Sequence, residues 1–111
     1  IESYVLTHAK TLRPSASLSL IIDDKLYQEN CSGDGQFDAF MNALKKIYSK
    51  RKKKLPKLID YAVRIPPGSD SDAFCETTIT WDTGSKKFKT RGLDTDQTVS
   101  AIKATEKMLN T

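Results

Sequence analysis

Cys31-Ser32-Gly33-Asp34-Gly35-Gln36-Phe37-Asp38-Ala39-Phe40 decides the reading of this chain: a polar strand end passes through two glycines into a helix. From Phe37 onward, Phe40, Met41, Leu44, Ile47 and Tyr48 recur at offsets of three, four, seven, ten and eleven residues, which puts them on one face of a helix predicted over about 35–51. Asp34 or Gly35 would cap that helix, and Asp38 falls in its first turn, where the helix dipole favours negative charge. Upstream, Ala16, Leu18, Leu20 and Ile22 alternate with Ser17 and Ser19, the period of a strand with one buried face. Asp23-Asp24 reads as a tight turn, after which Lys25 to Cys31 returns as the second arm of a hairpin. Tyr4, Val5 and Leu6 mark an earlier strand within 3–12, closed by Arg13-Pro14, since proline has no amide to donate to a ladder.

The pattern returns. Moving along the chain by about 59 residues lays Gly33 on Gly92, Ser19 on Thr78, Leu20 on Ile79, Ile22 on Trp81 and Asp23 on Asp82. In this second copy Leu58 to Ile65 forms the first strand, stopped by Pro66-Pro67-Gly68. Ala73, Cys75, Thr77, Ile79 and Trp81 alternate along the next strand, and Lys86 to Arg91 returns after the turn residues Asp82-Thr83-Gly84-Ser85. A last helix runs from Asp94 or Thr95 to Asn110 and buries Thr98, Ala101, Ile102, Thr105, Met108 and Leu109. Two copies, rather than three or more, point to a pseudo-twofold domain and not a solenoid. The expected fold is therefore α+β: repeats 1–54 and 55–111, each strand-strand-strand-helix with a glycine-led helix start, forming antiparallel sheets with helices packed on them in a single domain. Two helices cover only part of six strands, and leftover sheet surface favours a twofold homodimer.

At 111 residues, 38% apolar and 29% charged, the chain has room for one modest core and is not compositionally disordered. No run approaches the eighteen or so apolar residues of a membrane span. The chain starts at Ile1 without a basic-then-apolar leader, so a piece of a longer protein is expected. Cys31 and Cys75 occupy non-equivalent places in the two copies and read as buried thiols, which suits a reducing cytoplasm. The net charge of +4 owes much to Lys50-Arg51-Lys52-Lys53-Lys54, but that run sits at a helix C-terminus, where cations are favoured without any nucleic acid.

Catalysis finds little support. His8 is the single histidine and has no cysteine or carboxylate at ligand spacing, while Asp23-Asp24 and Asp70/Asp72 fall where turns want aspartate. A small enzyme using Asp38 and His8 would have no supporting pattern, and no phosphate-loop, nucleophile-elbow or zinc motif occurs. A binding role fits better. A glycine-rich helix entry leaves N–H groups free for a carboxylate or phosphate, and Asp38 one turn in could accept from an ammonium group, which together describe a free amino acid. Phe37, Leu58, Tyr61 and Ile65 are candidates for the apolar wall, although core packing explains each of them equally well. A nucleic-acid module resting on Lys50–Lys54 and on Lys86, Lys87, Lys89 and Arg91 is the competing reading.

Three segments in order, Gly33-Asp34-Gly35-Gln36-Phe37-Asp38-Ala39 with its helix, Leu58-Ile59-Asp60-Tyr61, and Arg91-Gly92-Leu93-Asp94-Thr95-Asp96, closely resemble the C-terminal regulatory domain of the 2-isopropylmalate synthase and citramalate synthase family. Gln36 stands where proline is usual in that family. The resemblance spans essentially the whole chain and leans to the citramalate branch, with the isopropylmalate branch close behind. It implies a dimerisation domain at whose interface a branched-chain amino acid, isoleucine or else leucine, inhibits an N-terminal catalytic barrel of the same chain that condenses acetyl-CoA with a 2-oxo acid such as pyruvate. The implied effector contacts are the backbone of Gly33, Asp34 and Gly35, the side chains of Phe37 and Asp38, Leu58, Tyr61 and Ile65 around the second copy's first strand, Cys75, and Thr95 and Gln97 at the second helix start. It implies no catalytic residue, metal or cofactor in this chain, and no nucleic-acid or membrane partner.

Overall fold

The computed structural model describes residues 3–7, 13–51, 54–65 and 74–110, so His8, Lys52, Lys53, Ala73 and the aspartates at 70 and 72 lie outside the described residues. The chain divides into two compact units, Ile1–Leu55 and Pro56–Thr111.

In the first unit β1 (Ser3–Thr7), β2 (Ser15–Ile22) and β3 (Lys25–Ser32) form an antiparallel sheet in chain order, and α1 (Gln36–Arg51) follows. The β2–β3 hairpin closes with Ile22 opposite Lys25, so Asp23 and Asp24 alone make the turn. Both have positive φ, 52° and 64°, the two-residue turn whose twist matches the strands and which aspartate tolerates better than most side chains. Alternation along β2 buries Ala16, Leu18 and Leu20 beneath α1, which packs across β2 and β3 and contributes Phe40, Leu44 and Ile47. Ala39 and Ala43 are also fully buried, and Phe37 and Tyr48 only half so.

In the second unit β4 (Lys57–Arg64), β5 (Cys75–Asp82) and β6 (Lys87–Asp94) repeat the arrangement, and α2 (Gln97–Leu109) rests on β5 and β6. Here the hairpin takes a four-residue loop: Thr83 N–H donates to Lys86 O at 3.0 Å, Gly84 adopts φ 95°, and its N–H donates to Asp82 Oδ1 at 2.8 Å. A register shift between Leu58 and Asp60 makes Ile59 the extra residue of a bulge. Trp81 is fully buried, worth about 1.5–3 kcal/mol by area alone, and its Nε1–H donates to Thr90 Oγ1 at 2.8 Å.

The repeat of strand-strand-strand-helix is as expected, but two details differ from the sequence reading. The buried triplets Ala16/Leu18/Leu20 and Thr77/Ile79/Trp81 and the helix starts Gln36 and Gln97 are each 61 residues apart, not 59. Aligning glycine with glycine hid this, because Gly92 is not at a helix start: it lies inside β6, five residues ahead of Gln97. A Cβ there would sit 2.0 Å from Ser100 O and 2.6 Å from Ala104 N, so Gly92 lets β6 run against the side of α2. Ser100 and Ala104 are buried for the same contact, whereas Thr98 and Leu109 are only half-covered.

Candidate functional site

The opening of α1 gathers five of the expected site residues, and each does something different. Gly33 is buried, and a Cβ on it would meet Ala39 N at 2.5 Å and Asp38 C at 2.8 Å, so it is glycine because the strand end crosses the helix's first turn. Its N–H donates to Pro14 O at 3.1 Å, so this amide is already used by the protein rather than free for a ligand. Asp34 turns outward, 93% exposed, and pairs with Arg13 at 3.1 Å instead of capping the helix. Gly35 takes the cap position, its carbonyl accepting the first helical bond from Ala39 N–H at 3.0 Å, with no side chain to seal the turn. Phe37 stacks on Phe40 with centroids 6.2 Å apart, and Tyr4 meets Phe40 edge-on at 5.8 Å, which fixes an aromatic wall beside the turn. Asp38 is exposed in the first turn. Asn42, missed in the sequence reading, donates from Nδ2 to Ser32 O at 3.0 Å and ties the incoming strand to the helix.

Gly35 is the informative residue. Gly33 and Gly92 are required by close approach and Gly84 by its φ, but a Cβ on Gly35 would touch nothing within 4 Å and its φ is not positive. Among the described glycines it is the one whose missing side chain the fold does not use.

The opening of α2 is built the opposite way. Asp96 caps it, Oδ1 accepting from Val99 N–H at 3.0 Å. Asp94 accepts Asp96 N–H at 3.0 Å and pairs with Lys103 at 2.8 Å; that Lys103 hydrogen bond, helped by the Asp96 amide, holds its carboxyl below the usual range. Thr95 and Gln97 are exposed beside this cap. The expectation of paired glycine-led helix starts is thus corrected: one start is led by Gly35, which brings no capping side chain, and the other is closed by the Asp96 carboxylate, which would also repel an anion.

The remaining expected residues lie along β4 and the start of β5. Cys75 pairs with Asp94, and Ile65, 64% exposed, follows the end of β4 at the same end of the sheet. Tyr61 is opposite Ile79 in mid-strand, 37% exposed because α2 rests on the other two strands. Leu58 pairs with Trp81, seven residues before Ile65 and so roughly 23 Å from it along the strand. Leu58 is therefore not part of the same end as Ile65 and Cys75. Both cysteines are free and half-exposed rather than fully buried.

The basic run is partly consumed by the fold. Lys50 pairs with Glu29, and Arg51 with Asp23 while donating from Nη1 to Tyr27 OH at 3.4 Å and lying 5.7 Å above that ring. Lys50 holds the Glu29 carboxyl below its ordinary value. On the second sheet's face away from α2, Lys89 and Arg91 line an open groove of about 430 Å³ with Arg64, which Glu76 holds at 2.9 Å. Among the described residues there is no group of His, Cys, Asp and Glu arranged to hold a metal ion, and no helix is long and apolar enough to cross a membrane.

A family model described as the LeuA allosteric (dimerisation) domain matches residues 1–111. A protein named 2-isopropylmalate synthase from Pseudoalteromonas atlantica (strain T6c / ATCC BAA-1087) is 27% identical over 101 residues, which cover 91% of this chain and 19% of that protein. The chain thus spans about a fifth of that relative's length.

Proposed function

We propose that this chain, which belongs to the LeuA allosteric (dimerisation) domain family, binds a branched-chain amino acid with the opening turn of α1 and relays its presence to a catalytic part of the same protein. The observation that carries the reading is Gly35: a helix start with no side chain of its own, at a position where the fold itself asks for neither glycine's φ nor its small size. The helix dipole favours a carboxylate there, Asp38 accepts from the ammonium group, and half-exposed Phe37, stacked on the buried Phe40, offers an apolar wall. For Tyr61, Ile65, Cys75, Thr95 and Gln97, all in the second unit, a role as effector contacts is proposed on the family resemblance alone. Leu58 and the Gly33 amide have less to support them, given the position of the one and the Pro14 bond of the other.

The parent protein in this reading is a cytoplasmic, homodimeric acyltransferase of the 2-isopropylmalate or citramalate synthase type, and the two units together are its regulatory and dimerisation domain. Leucine and isoleucine are the effectors to test first. The name of the Pseudoalteromonas relative favours leucine, and the lean to the citramalate branch favours isoleucine. The two differ only in where one methyl branches, a difference such pockets discriminate by about 1–3 kcal/mol. For inhibition to pass on, the effector must bind one state of the dimer better than another. Calorimetric titration with leucine, isoleucine and valine tests the proposal: saturable heat with one of them is expected, and no heat with any of the three overturns it.

A further inference from the structure

We infer that the face of the second sheet away from α2 binds a small phosphorylated metabolite, held through one or two phosphate groups between β4 and β6. The inference goes beyond the proposed effector reading and uses none of the residues at the opening of α1. On this face the register sets three rows across the strands: Arg64–Glu76–Leu93, Ala62–Thr78–Arg91 and Asp60–Thr80–Lys89. Ala62 and Thr78 are the small residues of the middle row. They floor the groove of about 430 Å³, whose walls carry Arg64 on one side and Lys89 and Arg91 on the other. That volume is of the size that takes one small molecule. Two strand spacings, roughly 9.5 Å, separate the walls, so guanidinium groups from both sides can reach one anion above Thr78.

The first copy shows that the fold does not call for these cations. At the shift of 61 residues Arg91 and Lys89 correspond to Asn30 and Gln28, and Thr78 and Thr80 to Ser17 and Ser19. There each amide is spent on the facing hydroxyl, Asn30 Nδ2 donating to Ser17 Oγ at 2.6 Å and Gln28 Nε2 to Ser19 Oγ at 3.3 Å. In the second copy the same positions hold charged side chains. Among the described residues neither Lys89 nor Arg91 has an ion-pair partner, and neither Thr78 nor Thr80 a side-chain hydrogen bond. The floor thus keeps a spare hydroxyl donor between cations whose geometry matches phosphate oxygens.

The carboxylates on this face set the size of the ligand. Glu76 takes Arg64 by Nε at 2.9 Å, which fixes that side chain on the wall and leaves its Nη groups for an anion. Asp60 lies across Thr80 from Lys89, and Asp82, which accepts the Gly84 amide, is opposite Lys87 at the hairpin end. Of the three only Glu76 lines the groove, where three cations against one carboxylate leave a net charge of +2. The cationic stretch is therefore short, with carboxylates at both ends. A nucleic-acid strand laid along it would run onto Glu76, Asp60 or Asp82, whereas one or two phosphate groups fit between them.

NMR titration of the 111-residue chain with inorganic phosphate and with pyrophosphate at fixed ionic strength tests this, beside R91Q, K89Q and K107Q. Saturable shifts of the Thr78, Lys89 and Arg91 amides are expected, with pyrophosphate the tighter ligand. Its dissociation constant should rise at least about tenfold in R91Q, less in K89Q, and stay unchanged in K107Q, which removes the same charge from α2. All three side chains are exposed, so melting curves followed by circular dichroism should be alike. No saturable shift at the groove, equal weakening by K107Q, or sulfate binding as tightly as pyrophosphate overturns the proposal. A single-stranded oligonucleotide that binds this face more tightly than pyrophosphate overturns it too, making the face a nucleic-acid surface. Each of these outcomes leaves the calorimetric test of the amino-acid effector untouched.

Discussion

The two helix starts are built on one plan and finished in opposite ways. After β3 the chain reaches α1 through Gly35, which has nothing to cap with; after β6 it reaches α2 through Asp96, whose carboxylate accepts the Val99 amide. The glycines have parted too: Gly92 is a packing device inside a strand, and Gly33 one at a strand end. A helix end sealed by its own aspartate is complete as a structure. One led by a glycine at no steric gain is not, and the proposal places the ligand at the first copy on that difference.

The largest effect should come from the close-packed glycine. Gly92→Ala sets a Cβ 2.0 Å from Ser100 O, against backbone that cannot swing away, and should cost about 3 kcal/mol or more in urea unfolding. Gly33→Ala, whose nearest atoms are 2.5–2.9 Å away, should fall below it, and Gly35→Ala should change stability least of the three. An equal cost at all three positions would erase the contrast between the glycines.

Removing the cap of α2 comes next. Asp96→Ala should lose about 1 kcal/mol, the ordinary worth of an N-cap carboxylate, and leave amino-acid affinity unchanged. A loss of binding in Asp96→Ala at unchanged dimerisation would put the ligand at the wrong helix.

Acid should act on both units. Glu29 and Asp94 are held below their ordinary values by Lys50 and Lys103, so each binds its proton more readily in the unfolded chain. The stability they contribute is present above the unfolded carboxylate range of about 4 and is lost as pH falls through the lower folded values. Glu29→Gln and Asp94→Asn should each flatten the fall of stability with pH below about 5, seen as a smaller shift of the urea midpoint. A slope identical to the parent's would mean that these pairs are not formed in solution.

Much of this architecture could be read from the residues. Alternation at Ala16–Ile22 and Thr77–Trp81 and the helical spacing of Phe40, Leu44 and Ile47 gave the strands and α1, because burial of one face leaves a period in the sequence. The start of α2 was misjudged because Gly92 in the pattern before a helix reads as an entry, and a glycine required by a neighbouring Ser100 carbonyl carries no local mark. Nothing in the sequence marks Asp96 as the cap, because turn aspartates are common for several backbone reasons and only the Val99 bond distinguishes this one. The matched Ser17–Asn30 and Ser19–Gln28 pairs depend on a register that no local pattern sets. The sequence marks Gly33 and Gly35 alike, and only their surroundings separate them: a Cβ on Gly33 would strike the first turn of α1, whereas one on Gly35 would touch nothing within 4 Å.

The most direct measurement fills that space. Gly35→Asp adds a carboxylate at the cap of α1, as Asp96 already does for α2, and changes cap stability by only a few tenths of a kcal/mol. Titrated with leucine and isoleucine beside the parent chain, the variant should melt at the same temperature and bind the preferred amino acid at least about tenfold more weakly. Unchanged affinity in a folded Gly35→Asp chain would contradict the account, since the carboxylate of the ligand would then lie somewhere other than the open turn of α1.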